Sequence, residues 1–271
     1  MEITAENLKN MNYPDFVGLI NQWNVLPGSF VTLSKWIQYA GISKDSNILQ
    51  VACTTGFQSR EIANLTGCKG DAFDLSEYAV VSAIYNKEHY TPNVEINYMV
   101  QNGYEYETSK KYSHVIVGGG LQFFPDPQKM KDKCIEYMQD GGYLLASPFY
   151  VKEEIPQELI EKAKKVFGIT VTTQGYKEIM KMYTDLEIIY EDRNELIMET
   201  EEEIQEYCRA TTNRAVKILD KEGDQEIYDA IYDRLYSIKE MSNELRPYQM
   251  YSVLVLRYRK NVYPNRYVEL F

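Results

Sequence analysis

Residues 46–67, SNILQVACTTGFQSREIANLTG, combine a short apolar run, a turn of small residues and an amphipathic helix. In α/β proteins the turn between a first strand and its helix receives nucleotide-like ligands, because backbone N–H groups point outward there and small side chains allow close approach. Ala52, Cys53, Thr54, Thr55 and Gly56 are small enough, although only one of them is glycine. Thr54 or Thr55 is also placed to cap the helix that begins near Phe57, and a plain strand-to-helix turn is the alternative use of this stretch. Further on, GDAFDLSEYAV ends a second apolar run in Asp74 and passes directly into a helix. A carboxylate at that strand tip can accept both hydroxyls of a ribose. Its alternative role is helix capping, which Ser76 is equally placed to fill. A third feature is the glycine run Gly118–Gly120 behind the apolar SHVIV, which marks a close backbone approach.

Other chemistry is poorly represented. His114 lies inside a strand-like run, where a packed histidine is the simpler expectation, and His89 follows a helix. Cys53, Cys68, Cys134 and Cys208 are far apart, with Cys53 and Cys134 expected in the core, and no His/Cys cluster has metal-ligand spacing. No metal is expected.

Around these residues, strands and helices alternate. NILQVA, KGDAFDL, VEINYMV, SHVIVGG and GYLLASPFY read as strands, with helical segments between several of them. Short apolar strands joined by helical crossovers predict an α/β, doubly wound, Rossmann-like sheet, mostly parallel. Residues 1–40 read as a helical lead-in, 41–150 as the ligand-binding core and 151–271 as a C-terminal part of the same domain. That last part carries a helical cap at about 200–244 and a late antiparallel strand in QMYSVLVLRYRK.

ILQVACTTGFQS, FDLSEYAV, VQNGYEYE and the long run YSHVIVGGGLQFFPDPQKMKDKCIEYMQDGGYLLASPFY occur in order at family-like intervals. Together they resemble the class I S-adenosylmethionine-dependent methyltransferases, especially the small-molecule type of quinone biosynthesis. The resemblance covers about residues 30–150 and implies S-adenosyl-L-methionine as cofactor. It implies that Ala52, Thr54 and Gly56 line the methionine part, and that Asp74 and Leu75 meet ribose and adenine. Asn102 would reach the adenine amine with Gln101 as neighbour, and Gly118 and Gly119 would face the methionine ammonium. The chain departs from the family pattern at Gln50, where an acid is usual, and at Ala52 and Thr54, where glycines are usual. Thr54 is expected to demand ordinary backbone angles, and the missing charge at Gln50 to weaken cofactor binding without abolishing it.

Methyl transfer needs positioning and exclusion of water, and a base only where the acceptor must first lose a proton. Acceptor-site candidates are therefore aromatic and polar: Tyr13, Trp23 and Asn24 from the lead-in, Phe123, Phe149 and Tyr150 at strand ends, and Arg214, Tyr228 and Tyr232 on the cap. The cap is expected to cover the acceptor and to be dispensable for the fold; a homodimer interface on the same helical face is its alternative role. A net charge of −11, from 29 basic and 40 acidic side chains, argues against nucleic acid and suits a small neutral or cationic acceptor. No apolar run reaches the roughly 20 residues needed to span a bilayer, and MEITAENLKN lacks a signal-peptide pattern, so a cytoplasmic protein without a membrane segment is expected. A second outcome stays open, a degenerate relative that binds a nucleoside or a partner without catalysis.

Overall fold

The computed structural model describes residues 3–23, 26–119 and 121–261. Among these, one sheet holds eight strands: β1 (Asn47–Val51), β2 (Lys69–Asp74), β3 (Ile96–Val100), β4 (Tyr112–Gly118), β5 (Met138–Ala146), β6 (Phe149–Val151), β7 (Glu187–Glu195) and β8 (Gln249–Arg257). The order is β3-β2-β1-β4-β5-β8, with β6 and β7 also paired to β8. The first five strands are mutually parallel, and β8 runs against β5, β6 and β7. Ala146 faces Leu254 and Phe149 faces Tyr251, so β5 and β6 follow one another along the same edge of β8. The Ser147-Pro148 step interrupts them, as expected where proline offers no N–H to a ladder.

Strand alternation sends side chains to two layers. Ile48, Ala72, Ile116, Leu145 and Val255 pack under α3 (Ser29–Ala40), α4 (Phe57–Thr66) and α5 (Glu77–Tyr90), together with Leu33, Trp36, Ile62 and Ala83. Leu49, Phe73, Val115, Leu144 and Leu254 pack on the opposite face against Met130 and Cys134 of α6 (Pro127–Tyr137) and against Tyr183 and Leu186. Gly41 and Gly67, both left-handed, close α3 and α4.

A third cluster joins distant parts of the chain. Leu8 and Phe16, from α1 (Ala5–Asn10) and α2 (Tyr13–Leu19), pack with Ile204 and Cys208 of α9 (Glu201–Ile218) and with Ile231 and Leu235 of α10 (Gln225–Leu245). Between them in sequence lie α7 (Gln157–Phe167), which packs on α10, and α8 (Tyr176–Met180). The lead-in and the 200–244 region therefore form one helical unit. It is held to the core where α2 meets α5: a Cβ on Gly18 would stand 2.4 Å from the Ala79 nitrogen. The Ser82 hydroxyl donates to the Gly18 carbonyl at 2.7 Å at the same contact. Arg234 of α10 donates to the carbonyls of Leu8 and Met11, closing the end of α1. Removal of the cap would therefore uncover Leu8 and Phe16 of the lead-in.

Candidate functional site

The turn after β1 alternates in hand. Ala52, Thr54 and Gly56 have φ of 52°, 48° and 80°, so every second residue is left-handed. Thr54 thus adopts the backbone of the glycine it replaces, which overturns the expectation of ordinary angles and costs roughly 1–2 kcal/mol. Neighbours over-determine the turn. Cys53 N–H donates to Phe73 O at 2.9 Å, Gly56 N–H to Cys53 O at 2.8 Å, and Thr54 N–H to Asp74 Oδ2 at 2.8 Å. The Thr55 hydroxyl reaches Gln22 O at 2.9 Å instead of capping α4, whose N-cap is Gly56 without a side-chain bond. Gly56 is also required by space, since a Cβ there would stand 2.8 Å from the Tyr98 hydroxyl.

Gln50, 1% exposed, fixes the turn from below by accepting Ser59 N–H at 2.9 Å. A neutral amide therefore performs the backbone anchoring that a carboxylate in this place can also provide.

Asp74 joins the tips of β1 and β2. Its Oδ2 accepts Thr54 N–H and its Oδ1 accepts Ser76 N–H at 2.9 Å. The α5 cap is Ser76 itself, whose hydroxyl accepts Ala79 N–H and donates to Asp15 Oδ1 at 2.5 Å. Burial raises the Asp74 carboxyl above its usual pKa, backbone N–H donors from Ser76, Thr54 and Leu75 pull it back, and Asp15 pushes it up again. A carboxylate offers about four lone-pair directions, so these backbone bonds leave room for a further donor. Beside it, Leu75 is 74% exposed at the strand tip. Gln101 N–H donates to Asp74 O at 2.8 Å, and the Asn102 side-chain oxygen accepts Tyr104 N–H at 3.1 Å, which ties Asn102 to its own turn.

At the tip of the neighbouring strand β4, Gly118 has φ 53°, and a Cβ there would stand 2.8 Å from Gln58 Nε2. Its carbonyl accepts Ser147 N–H at 2.6 Å. Gln122 Nε2 donates to the carbonyls of Gly119 at 3.2 Å and Phe149 at 3.3 Å. A Cβ on Gly119 would touch the rings of Phe149 at 3.4 Å and Phe123 at 3.8 Å. Three polar atoms around this tip are buried without a hydrogen-bond partner among the described residues: Gln58 Oε1, Gln122 Oε1 and Ser147 Oγ. Gln58 is 8% exposed and Ser147 0%. The sequence reasoning missed all three. A hint lay in their placement, one turn or less beyond the two glycine-bearing loops and at the end of β5.

The other expected acceptor residues scatter. Phe123 and Phe149 meet at the β4 tip, with ring centroids 6.4 Å apart. Tyr150 is a correction: at 1% exposure it packs in the opposite layer with Tyr176, because neighbours in a strand face opposite ways. Trp23 lies near two guanidiniums, Arg60 at 4.9 Å and Arg214 at 5.6 Å, and Arg214 also donates to Asn21 O at 3.0 Å. Asn24 lies outside the described residues, as does Gly120. Tyr13 packs edge-on to Phe167, burial pushing its hydroxyl up to about 12. Tyr228 and Tyr232 stack along α10 with Tyr236, in the cap cluster. An open cavity of about 620 Å³ near Tyr13, Phe167 and Arg234 belongs to the cap, and no residue of the 52–56 turn or the β4 tip lines it.

His114 is buried, with Nε2 donating to Ala40 O at 3.0 Å, and burial lowers its pKa. All four cysteines are buried free thiols. Among the described residues no three His, Cys, Asp or Glu side chains gather as a metal site, and no helix is long and apolar enough to cross a membrane.

The overall fold is shared with a large group of solved structures. A Geobacter sulfurreducens S-adenosylmethionine-dependent methyltransferase in complex with S-adenosyl-L-homocysteine superposes with a TM-score of 0.67 at 13% identity, covering 90% of this chain and 97% of that one. The fold is that of the class I S-adenosylmethionine-dependent methyltransferases. The MccD protein is similar as well, with a TM-score of 0.70 at 21% identity over 87% of this chain and 100% of its own. So is the [4+2]-cyclase SpnF, at 0.66 and 10% identity, over 96% of this chain and 98% of its own. One fold thus carries more than one reaction. In sequence, the chain is 22% identical over 173 residues to an uncharacterized Haemophilus influenzae protein, covering 62% of this chain and 69% of that one. It is 28% identical over 110 residues to a malonyl-[acyl-carrier protein] O-methyltransferase of Ilyobacter polytropus, two fifths (40%) of each chain. No family model matches the chain.

Proposed function

We propose that this protein binds S-adenosylmethionine across the tips of β1, β2 and β4 and transfers its methyl group to a small molecule. The observation that carries this is the unpartnered Gln58 Oε1 beside Gly118, two residues beyond the turn that Asp74 anchors. A buried acceptor without a donor costs about 1–3 kcal/mol, which a ligand bearing an ammonium group recovers. The donor set fits: the remaining lone pair of Asp74 suits a ribose hydroxyl, exposed Leu75 suits a flat base, and Gln58 suits the amino group. When bound, S-adenosylmethionine supplies a methyl carbon on a positively charged sulfur, open to displacement by a nucleophile. The chain contributes position: Gln50 and Asp74 fix the turn, while the rings of Phe123 and Phe149 border Gly119 at the β4 tip.

The buried free thiols fit a reducing compartment, and we place the protein in the cytoplasm. The net charge of −11 favours a small acceptor over nucleic acid.

The test is thermal unfolding with S-adenosylhomocysteine. At a hundredfold excess over Kd a ligand of the folded state contributes about 2.7 kcal/mol, a rise of roughly 5–10 °C in Tm for a chain of this size. No rise at millimolar ligand would remove the cofactor from this cleft. Binding without product in methyl-transfer assays on cell extract would instead leave a non-catalytic nucleoside binder.

A further inference from the structure

Two of the three groups left open at the β4 tip are acceptors. Gln122 Nε2 faces two carbonyl oxygens, Gly119 O and Phe149 O, so the side chain is fixed with its nitrogen toward them. Its buried Oε1 is therefore an acceptor, as is Gln58 Oε1, and Ser147 Oγ can act either way. None of the side chains meeting there, from Gln58, Gln122, Phe123, Ser147 and Phe149, carries a positive charge, and two of them are phenyl rings.

We infer that the methyl acceptor is a small aryl- or alkyl-bearing amine whose nitrogen donates to Gln122 Oε1; this rests on the methyl-transfer reading of the same site. A carboxylate only accepts and would face amide oxygen edge to edge. An alcohol gives up its single O–H before it attacks and then has nothing to donate. An amine attacks through its lone pair and keeps an N–H for Gln122. Its nitrogen forms the new C–N bond as the C–S bond breaks, with that electron pair staying on sulfur, and the methylated ammonium then releases a proton to water. None of the side chains named at the tip is a base, and an amine that is neutral when it attacks needs none. The phenyl faces of Phe123 and Phe149 and the acidic protein also favour the amine's ammonium form, which reaches the site first and gives one proton to water before its lone pair attacks.

The experiment uses the full chain saturated with S-adenosylhomocysteine and three matched probes, 2-phenylethylamine, 2-phenylethanol and phenylacetate, titrated by calorimetry. The amine is expected to bind at least tenfold more tightly than the other two. In Gln122→Met that preference falls below threefold, while S-adenosylhomocysteine affinity stays within twofold of the wild type. If the alcohol or acid equals the amine, or if none of the three binds the complex, the inference is overturned. Failure of S-adenosylhomocysteine itself to bind is a separate result and refutes the cofactor reading. Should Gln122→Met not fold, the wild-type ranking of the three probes decides alone.

Discussion

The two lips of the cleft are built on opposite principles. On the β1–β2 lip the polar groups that shape the turn are satisfied: Gln50 holds Ser59, Asp74 holds Thr54 and Ser76, and Thr55 holds Gln22 O. There the cost is paid in backbone strain, with Ala52 and Thr54 left-handed. At the β4 tip the left-handed residue among those described is Gly118, yet Gln122 and Ser147 there, and Gln58 reaching it from the first turn of α4, hold unpartnered polar atoms. A strained but satisfied lip is formed before any ligand arrives. An unstrained but unsatisfied lip gains stability only when something fills it.

The comparison breaks most sharply at Gly56. Gly56→Val places a branched side chain at φ 80° against Tyr98, and about 3 kcal/mol or more of stability should be lost in urea unfolding. Retained stability would mean that the satisfied lip is not rigid.

Asp74→Ala should cost about 1.5–3 kcal/mol, divided between stability and S-adenosylhomocysteine affinity, because the carboxylate holds the turn and, in the proposed function, the ribose. Its pH dependence separates the two. The folded pKa is raised, so Asp74 stabilises the ligand-free fold most below the unfolded carboxylate value, and that contribution is lost as pH rises through the folded pKa. Ligand binding through an ionised Asp74 runs the other way and weakens about tenfold per unit below that pKa. Calorimetric titration and denaturant midpoints across pH 4–7 should therefore slope in opposite senses; parallel slopes would take the ribose away from Asp74.

Gln58→Met keeps the side-chain volume and removes the open acceptor. Affinity for S-adenosylhomocysteine should fall about tenfold, with unchanged affinity for methylthioadenosine, which lacks the amino acid part. Stability of the ligand-free protein should hold or rise, since a buried group without a partner disappears. A loss of stability equal to that of Asp74→Ala would erase the difference between the lips.

The smallest effect belongs to Thr54→Gly. Relief of left-handed strain and the added freedom of the unfolded chain oppose each other, so stability should rise by at most about 1 kcal/mol, with ligand binding kept or improved. An unfolded or non-binding variant would show that the threonine side chain holds the turn.

Local sequence was a good guide wherever a pattern repeats within a few residues. The apolar runs at Asn47–Val51, Lys69–Asp74 and Gln249–Arg257 formed strands, Gly56 fell at the start of α4 and Asp74 at the tip of β2, and the late strand came in antiparallel. Each of these rests on backbone preference and burial period, which a chain carries whatever surrounds it. What lay beyond reach was decided by partners far away in sequence. The β5–β6 edge of β8 sends Phe149 to the cleft and Tyr150 to the core, and alternation alone does not say which of the two faces inward. Residues 5–20 and 204–238 share one hydrophobic cluster, although nothing in either stretch names the other. Gln58, Gln122 and Ser147 look like ordinary polar residues on the page. They become a candidate site only because folding buries them around Gly118 and Gly119 and leaves them unpartnered, and an unmet hydrogen bond is a property of neighbours, not of a residue.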